Sequence, residues 1–212
     1  GSNSMWGQID GVAKISIAQQ VIGGFLPAQP SEQPLGLTVY GHRRKRDCSD
    51  IETVVETGTD NRDALAAAVA RVKPRGRTPM TNAVRAAADA LNYTEQTATV
   101  ILLSDGIETC NPDPCAAARA LKADGRAFTT HVIGFDVTDP KALAQMQCLA
   151  DETGGRFLTA NTAAELSAAL MQVAAPAPVA AIVATPRAPD VTITGPASAP
   201  AGSVQSFAVT GV

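Results

Sequence analysis

Apolar residues first recur at helical spacing over Val12, Ile15, Ala18, Val21, Ile22 and Phe25, which predicts a helix that weakens at Gly23 and Gly24 and stops by Pro27. Residues 35–40 (Leu-Gly-Leu-Thr-Val-Tyr) read as a buried strand and 51–55 as a second strand. A polar, basic turn separates them, and two strands this close predict a hairpin. Asp60 is placed to N-cap a short helix running to about Val72, and Thr81 to cap an Ala-rich helix ending near Leu91. The unbroken apolar run 98–103 has the pattern of a strand covered on both faces, and it ends in Ser104-Asp105-Gly106. A helix from near Pro114, a strand over 128–135, a helix over 140–152, a strand over 156–159 and a helix over 163–173 complete the pattern.

Strands alternating with helices predict an α/β fold, with a doubly wound, mostly parallel sheet, helices on both faces and one antiparallel edge strand from the hairpin. The texture changes at residue 174. Six of the fourteen prolines fall within 174–200 and helical periodicity ends. The expected organisation is a domain over 1–173, a Pro/Ala-rich extended linker over 174–190, and over 191–212 the beginning of a β-sandwich-like domain. Two short strand patterns there, Val191-Thr-Ile-Thr and Ser206-Phe-Ala-Val-Thr, cannot form a stable sheet alone.

Composition narrows the function classes. With 45 % hydrophobic but only 4 % aromatic residues, the core has to come from Ala, Val, Ile and Leu. A net charge of −3 from 17 basic and 20 acidic side chains argues against a general nucleic-acid binder. No run approaches the ~18 apolar residues of a membrane helix. Only two histidines occur, His42 and His131, and none of the four cysteines sits in a C-x-x-C pair, which disfavours a zinc site. A metal-dependent hydrolase would have only His42 as a base, within a basic turn, so a non-enzymatic role is expected. His131, in mid-strand, reads as a structural histidine.

Three polar segments fall at the junctions of elements: Ser2-Asn3-Ser4, Gly76-Arg77-Thr78-Pro79 and Ser104-Asp105-Gly106. In open α/β sheets ligands bind outside the carboxyl ends of the strands. Ser2, Ser4, Thr78 and Asp105 offer only oxygen donors, a set suited to Mg²⁺ or Ca²⁺, with Mn²⁺ also possible. Neutral hydroxyls leave such an ion under-neutralised, so it can accept an acidic group from a partner. Glu108 and Asp113, nearby in sequence, read as solvated loop acids.

These residues resemble the von Willebrand factor A domain, whose metal-ion-dependent adhesion site reads D-x-S-x-S, then T, then D in separate loops. Ser2 and Ser4 match the serines, Thr78 the threonine and Asp105 the last aspartate. The segment Ser4-Met-Trp-Gly7 is similar to bacterial secreted members. The resemblance covers about residues 1–173 and implies a metal-dependent protein-binding module, with an intracellular ATP-driven metal-insertion or remodelling subunit as the alternative. The family's first aspartate would fall just before Gly1, at the end of a central first strand, so the expectation is a domain lacking that strand.

Two further features bear on partners and compartment. The turn His42-Arg43-Arg44-Lys45-Arg46 is expected beside the metal loops as a ridge of positive charge, which with Trp6 favours an anionic protein surface or exposed carboxylate. Cys48, Cys110 and Cys115 fall in loops or at a helix start on the same end, and Cys148 in a later helix. Two disulfides, and with them a periplasmic or extracellular protein, are expected. Three connectivities are open; neighbouring crossover helices favour Cys148 with Cys110 or Cys115, leaving Cys48 the other.

Overall fold

A computed structural model of the chain describes residues 3–110 and 113–174, which lie in one compact unit. The expected linker and β-domain beyond Ala174, and Ser2, lie outside the described residues. A 3-10 turn, Asn3–Trp6, opens into a minute ribbon of β1 (Gln8–Ile9) and β2 (Val12–Ala13), joined through Asp10 and Gly11, both at positive φ. Helix α1 (Lys14–Phe25) follows directly, and a second 3-10 turn, Leu26–Ala28, ends it at Pro27.

The hairpin is β3 (Leu35–Tyr40) and β4 (Ile51–Gly58), antiparallel with Tyr40 opposite Ile51. Helices α2 (Arg62–Arg71) and α3 (Met80–Ala90) lead to β5 (Thr97–Ser104), then α4 (Pro114–Asp124), β6 (Ala127–Phe135), α5 (Pro140–Asp151), β7 (Phe157–Ala160) and α6 (Ala163–Ala174). The order β5-β6-β7 is fully parallel, from Thr97 opposite Ala127 to Phe135 opposite Ala160. Along β6, Phe128 and Val132 enter one core with Met80, Val84, Val100 and Met146, whereas Ile133 and Phe135 enter another with Ile15, Leu166 and Leu170. This strand is therefore buried on both faces at its carboxyl-terminal half, where Val132, Ile133 and Phe135 are all apolar.

Local signals behave differently from the sequence pattern at three caps. Asp60 adopts φ +54° and Asn61 stands at the N-cap of α2. Thr81 lies inside the first turn of α3, whose N-cap is Pro79. Asp113 is exposed, as a solvated loop acid should be, and it also caps: its carboxylate accepts from the Cys115 and Ala116 amides at the start of α4, with Pro114 in the first turn, and Asp139 does the same for α5.

The mixed α/β architecture with a parallel sheet is as the pattern predicts, with one difference. Among the described residues β3 pairs only with β4, and β5 only with β6, so hairpin and parallel strands form separate ladders. Between their edges runs an apolar slot of about 350 Å³, walled by Leu35, Leu37 and Val39 of β3 and by Thr99, Ile101 and Leu103 of β5. Ile15 and Ile22 of α1 also line it, and no charged side chain does among the described residues. An apolar void of this size between two strand edges forfeits packing on all its walls.

Candidate metal and partner site

The three loops predicted from sequence meet at the carboxyl end of β5. Ser4 Oγ donates to Asp105 Oδ1 at 2.7 Å, joining residues 101 positions apart. A Cβ at Gly106 would sit 3.6 Å from Ser4 Oγ, so the strand-ending Asp-Gly lies directly against the serine turn. Asn3 N–H donates to the Gly76 carbonyl at 3.2 Å, tying the serine turn to the threonine loop. Thr78 is buried, its N–H donates to Thr109 Oγ1 at 2.8 Å, and Thr109 N–H returns to the Thr78 carbonyl. Ser4, Thr78 and Asp105 thus belong to one cluster of loops.

Two residues that the sequence did not assign to the site complete this cluster. Lys14, the first residue of α1, is buried, and its ammonium lies 2.8 Å from Asp136 Oδ2 and 3.7 Å from Asp105 Oδ2. Helical periodicity marks only apolar positions, so a buried lysine leaves no trace in it. Glu108, expected to be solvated, is buried: it accepts from the Thr81 amide at 2.9 Å and from the Cys110 amide at 2.7 Å. It caps α3 from another loop, placing a carboxylate where the free amides of a helix N-terminus gather.

The donor set fits a hard cation in kind, being hydroxyl and carboxylate oxygen. It is poor in charge. Among the described residues no three Asp, Glu, His or Cys side chains converge, and Lys14 already places an ammonium beside Asp105. Three carboxylates lie around the cluster, but Glu108 is committed to amides and Asp136 to the lysine.

The basic turn lies where expected but is not a bare ridge of charge. Arg43 is paired with Asp50 at 2.9 Å and Glu52 at 3.0 Å, Arg44 with Asp47 at 2.9 Å, and His42 Nε2 lies 3.1 Å from Glu52. Asp50 is fully buried; burial alone would raise its pKa, but the Arg44 and Arg43 amides and the Arg43 guanidinium outweigh it and hold the carboxyl at about 2. Burial lowers the pKa of His42, with Asp50 opposing. Lys45 and Arg46 are exposed, without an ion-pair partner among the described residues. The tip packs on the threonine loop: the Arg75 and Gly76 amides both donate to the Gly41 carbonyl at 2.9 Å. A Cβ on Gly76 would lie 2.6 Å from the Arg44 carbonyl oxygen, so only glycine fits there. This contact adds exposed Lys73, Arg75 and Arg77 to the same basic surface. Trp6 stands at its edge, 51 % exposed, with its indole N–H donating to the Pro74 carbonyl at 2.9 Å.

Both disulfides form. Cys48–Cys110 clamps the hairpin tip to the segment after Asp105, and Cys115–Cys148 joins α4 to α5. No cysteine among the described residues is free. His131, half-buried on β6, accepts the Arg156 amide on Nδ1 at 3.0 Å, a structural role.

Sheet, flanking helices and the loop cluster at the end of β5 define an α/β interaction domain. The chain belongs to the von Willebrand factor type A domain family: the family model matches residues 1–108. The family's domains are generally non-enzymatic interaction modules. The uncharacterized protein YwmD of Bacillus subtilis (strain 168) is 30 % identical over 179 residues, 80 % of this chain and 79 % of that protein. Among solved structures, an aerotolerance-related membrane protein from Bacteroides fragilis is similar with a TM-score of 0.64 and 18 % identity, over 82 % of this chain and 94 % of that one. The proximal thread matrix protein 1 of the mussel byssus, described with a zinc-occupied MIDAS motif, matches with a TM-score of 0.53 and 16 % identity over 76 % of this chain and 42 % of its own. Among the described residues no helix is long and apolar enough to cross a membrane.

Proposed function

We propose that this chain is a metal-dependent protein-binding module of an exported protein. A Mg²⁺ or Ca²⁺ ion, with Mn²⁺ as a substitute, is held by Ser4, Thr78 and Asp105 together with Ser2, and it receives a carboxylate from an anionic partner surface. The observation that carries the reading is the 2.7 Å contact of Ser4 Oγ with Asp105 Oδ1, two oxygen donors from distant loops brought together at a strand end. A neighbour of the same fold described with a zinc-occupied MIDAS motif supports a divalent ion there. The exposed cations Lys45, Arg46, Lys73, Arg75 and Arg77, with Trp6, supply the partner-facing surface. The two disulfides favour an oxidising compartment, the periplasm or cell exterior.

The slot between β3 and β5 receives an extended apolar strand whose carboxyl end brings an aspartate to the cluster, supplying the anionic charge that the set lacks. Calorimetric titration with Mn²⁺ tests the site: Asp105→Asn weakens binding by roughly tenfold or more, as expected for loss of the one carboxylate oxygen in a hydroxyl-rich set. Equal affinity of the Asp105→Asn chain contradicts the proposal.

A further inference from the structure

Lys14 is buried at the heart of the loop cluster, and the interaction function does not use it. Its backbone N–H donates to the Gly7 carbonyl at 2.8 Å, which starts α1 and turns the side chain inward. The stem passes Gly7 closely: a Cβ on that residue would lie 3.2 Å from Lys14 Cε and 3.0 Å from the Ser4 carbonyl oxygen. At the end of this channel the ammonium contacts Asp136 twice, at 2.8 Å to Oδ2 and 3.2 Å to the backbone carbonyl, and lies 3.7 Å from Asp105 Oδ2. One oxygen of Asp105 therefore takes the Ser4 hydroxyl and the other faces a fixed positive charge.

A full charge in a buried site acts through a low effective dielectric, so it changes the potential felt by any ion bound there far more than a surface lysine would. Asp136 shares the ammonium but is itself about one-third exposed, which leaves part of the lysine's field directed at Asp105. We propose that Lys14 is the built-in counter-cation of the site: it holds Asp105 in place without a metal and sets how tightly, and with what charge selectivity, an ion binds. This rests on the metal reading above. Lys14 is a positioning and selectivity residue, linking the ends of β5 and β6 through their aspartates.

The test is titration of the whole chain with Mn²⁺ and with Tb³⁺, comparing the native sequence with Lys14→Met and Lys14→Gln. Removing the charge tightens Mn²⁺ roughly tenfold and Tb³⁺ roughly thirtyfold, because the logarithm of the gain scales with the charge of the ion. A purely structural role cannot produce a gain ordered by ion charge. Lys14→Gln keeps a donor for the Asp136 carbonyl and shows the same ordering if Lys14→Met folds poorly. Affinity unchanged or weakened in both variants, equal gains for the two ions, or loss of folding in both overturns the proposal and leaves Lys14 as a structural tie. Asp105→Asn separates this from failure of the metal site: if it weakens Mn²⁺ while the Lys14 variants gain nothing, only the counter-cation role falls.

Discussion

At the scale of single residues, the cluster shows how one carboxylate can hold two loops without meeting a ligand. Glu108 takes the Thr81 amide of α3 and the Cys110 amide of its own loop while buried. Glu108→Ala removes two charge-assisted hydrogen bonds and strands two amides, so unfolding in urea should show a loss of about 2–4 kcal/mol. A loss under ~0.5 kcal/mol would mean that water replaces the carboxylate. Little of this was legible beforehand. Thr81 reads as a cap because threonine often is one, whereas its own amide in that turn is served by an acid 27 residues away. Lys14 and Glu108 escaped for the same reason: charge reads as surface unless its partners are known, and those lie at Asp105, Asp136 and Thr81.

Among the elements, the hairpin tip is the piece most closely tied by ion pairs. Asp50 has its carboxyl held at about 2, below the ordinary 3.8, because the Arg43 and Arg44 amides and the Arg43 guanidinium outweigh its burial. A depressed acid contributes stability that is fully present above its unfolded value and lost as pH falls through its folded one. The tip therefore loses this support between about pH 4 and pH 2, and Asp50→Asn should flatten the pH dependence of unfolding in that window. An unaltered slope would contradict it. The Cys48–Cys110 bridge closes 62 residues, worth on the order of 4 kcal/mol in the chain-entropy account. Replacing both cysteines by serine should speed hydrogen exchange at the tip and around Asp105 while β6 keeps its protection. Uniform loss of protection would mean that the clamp supports the whole domain instead. The elements themselves are plain in the sequence, since β5 carries the apolar run Val100–Leu103, β6 alternates into two cores, and Pro114 and Pro140 mark helix starts. The pairing of the arginines was not, because Asp47, Asp50 and Glu52 act on Arg43 and Arg44 only once the turn is folded.

Across the whole molecule, basic surface, loop cluster and slot lie in one arrangement. The slot reaches along β3 and β5, and β5 ends at Ser104, next to Asp105, so a strand laid between them would end beside the cluster. The sequence pattern called for one continuous sheet. Hydrophobic periodicity reports which faces are covered but not which edges pair, so periodicity alone does not separate β3 from β5; only the resemblance, with its central first strand, points that way. Filling the slot should raise stability and complete the anionic charge of the site together. The most direct measurement titrates the whole chain with Mn²⁺ in the presence of a synthetic apolar peptide of strand length ending in aspartate, and again with the same peptide ending in asparagine. The aspartate peptide should tighten Mn²⁺ by roughly tenfold or more and the asparagine peptide should not, since only a carboxylate supplies an anionic oxygen to a hard cation. Equal Mn²⁺ affinity with both peptides would contradict the metal-dependent reading of the site.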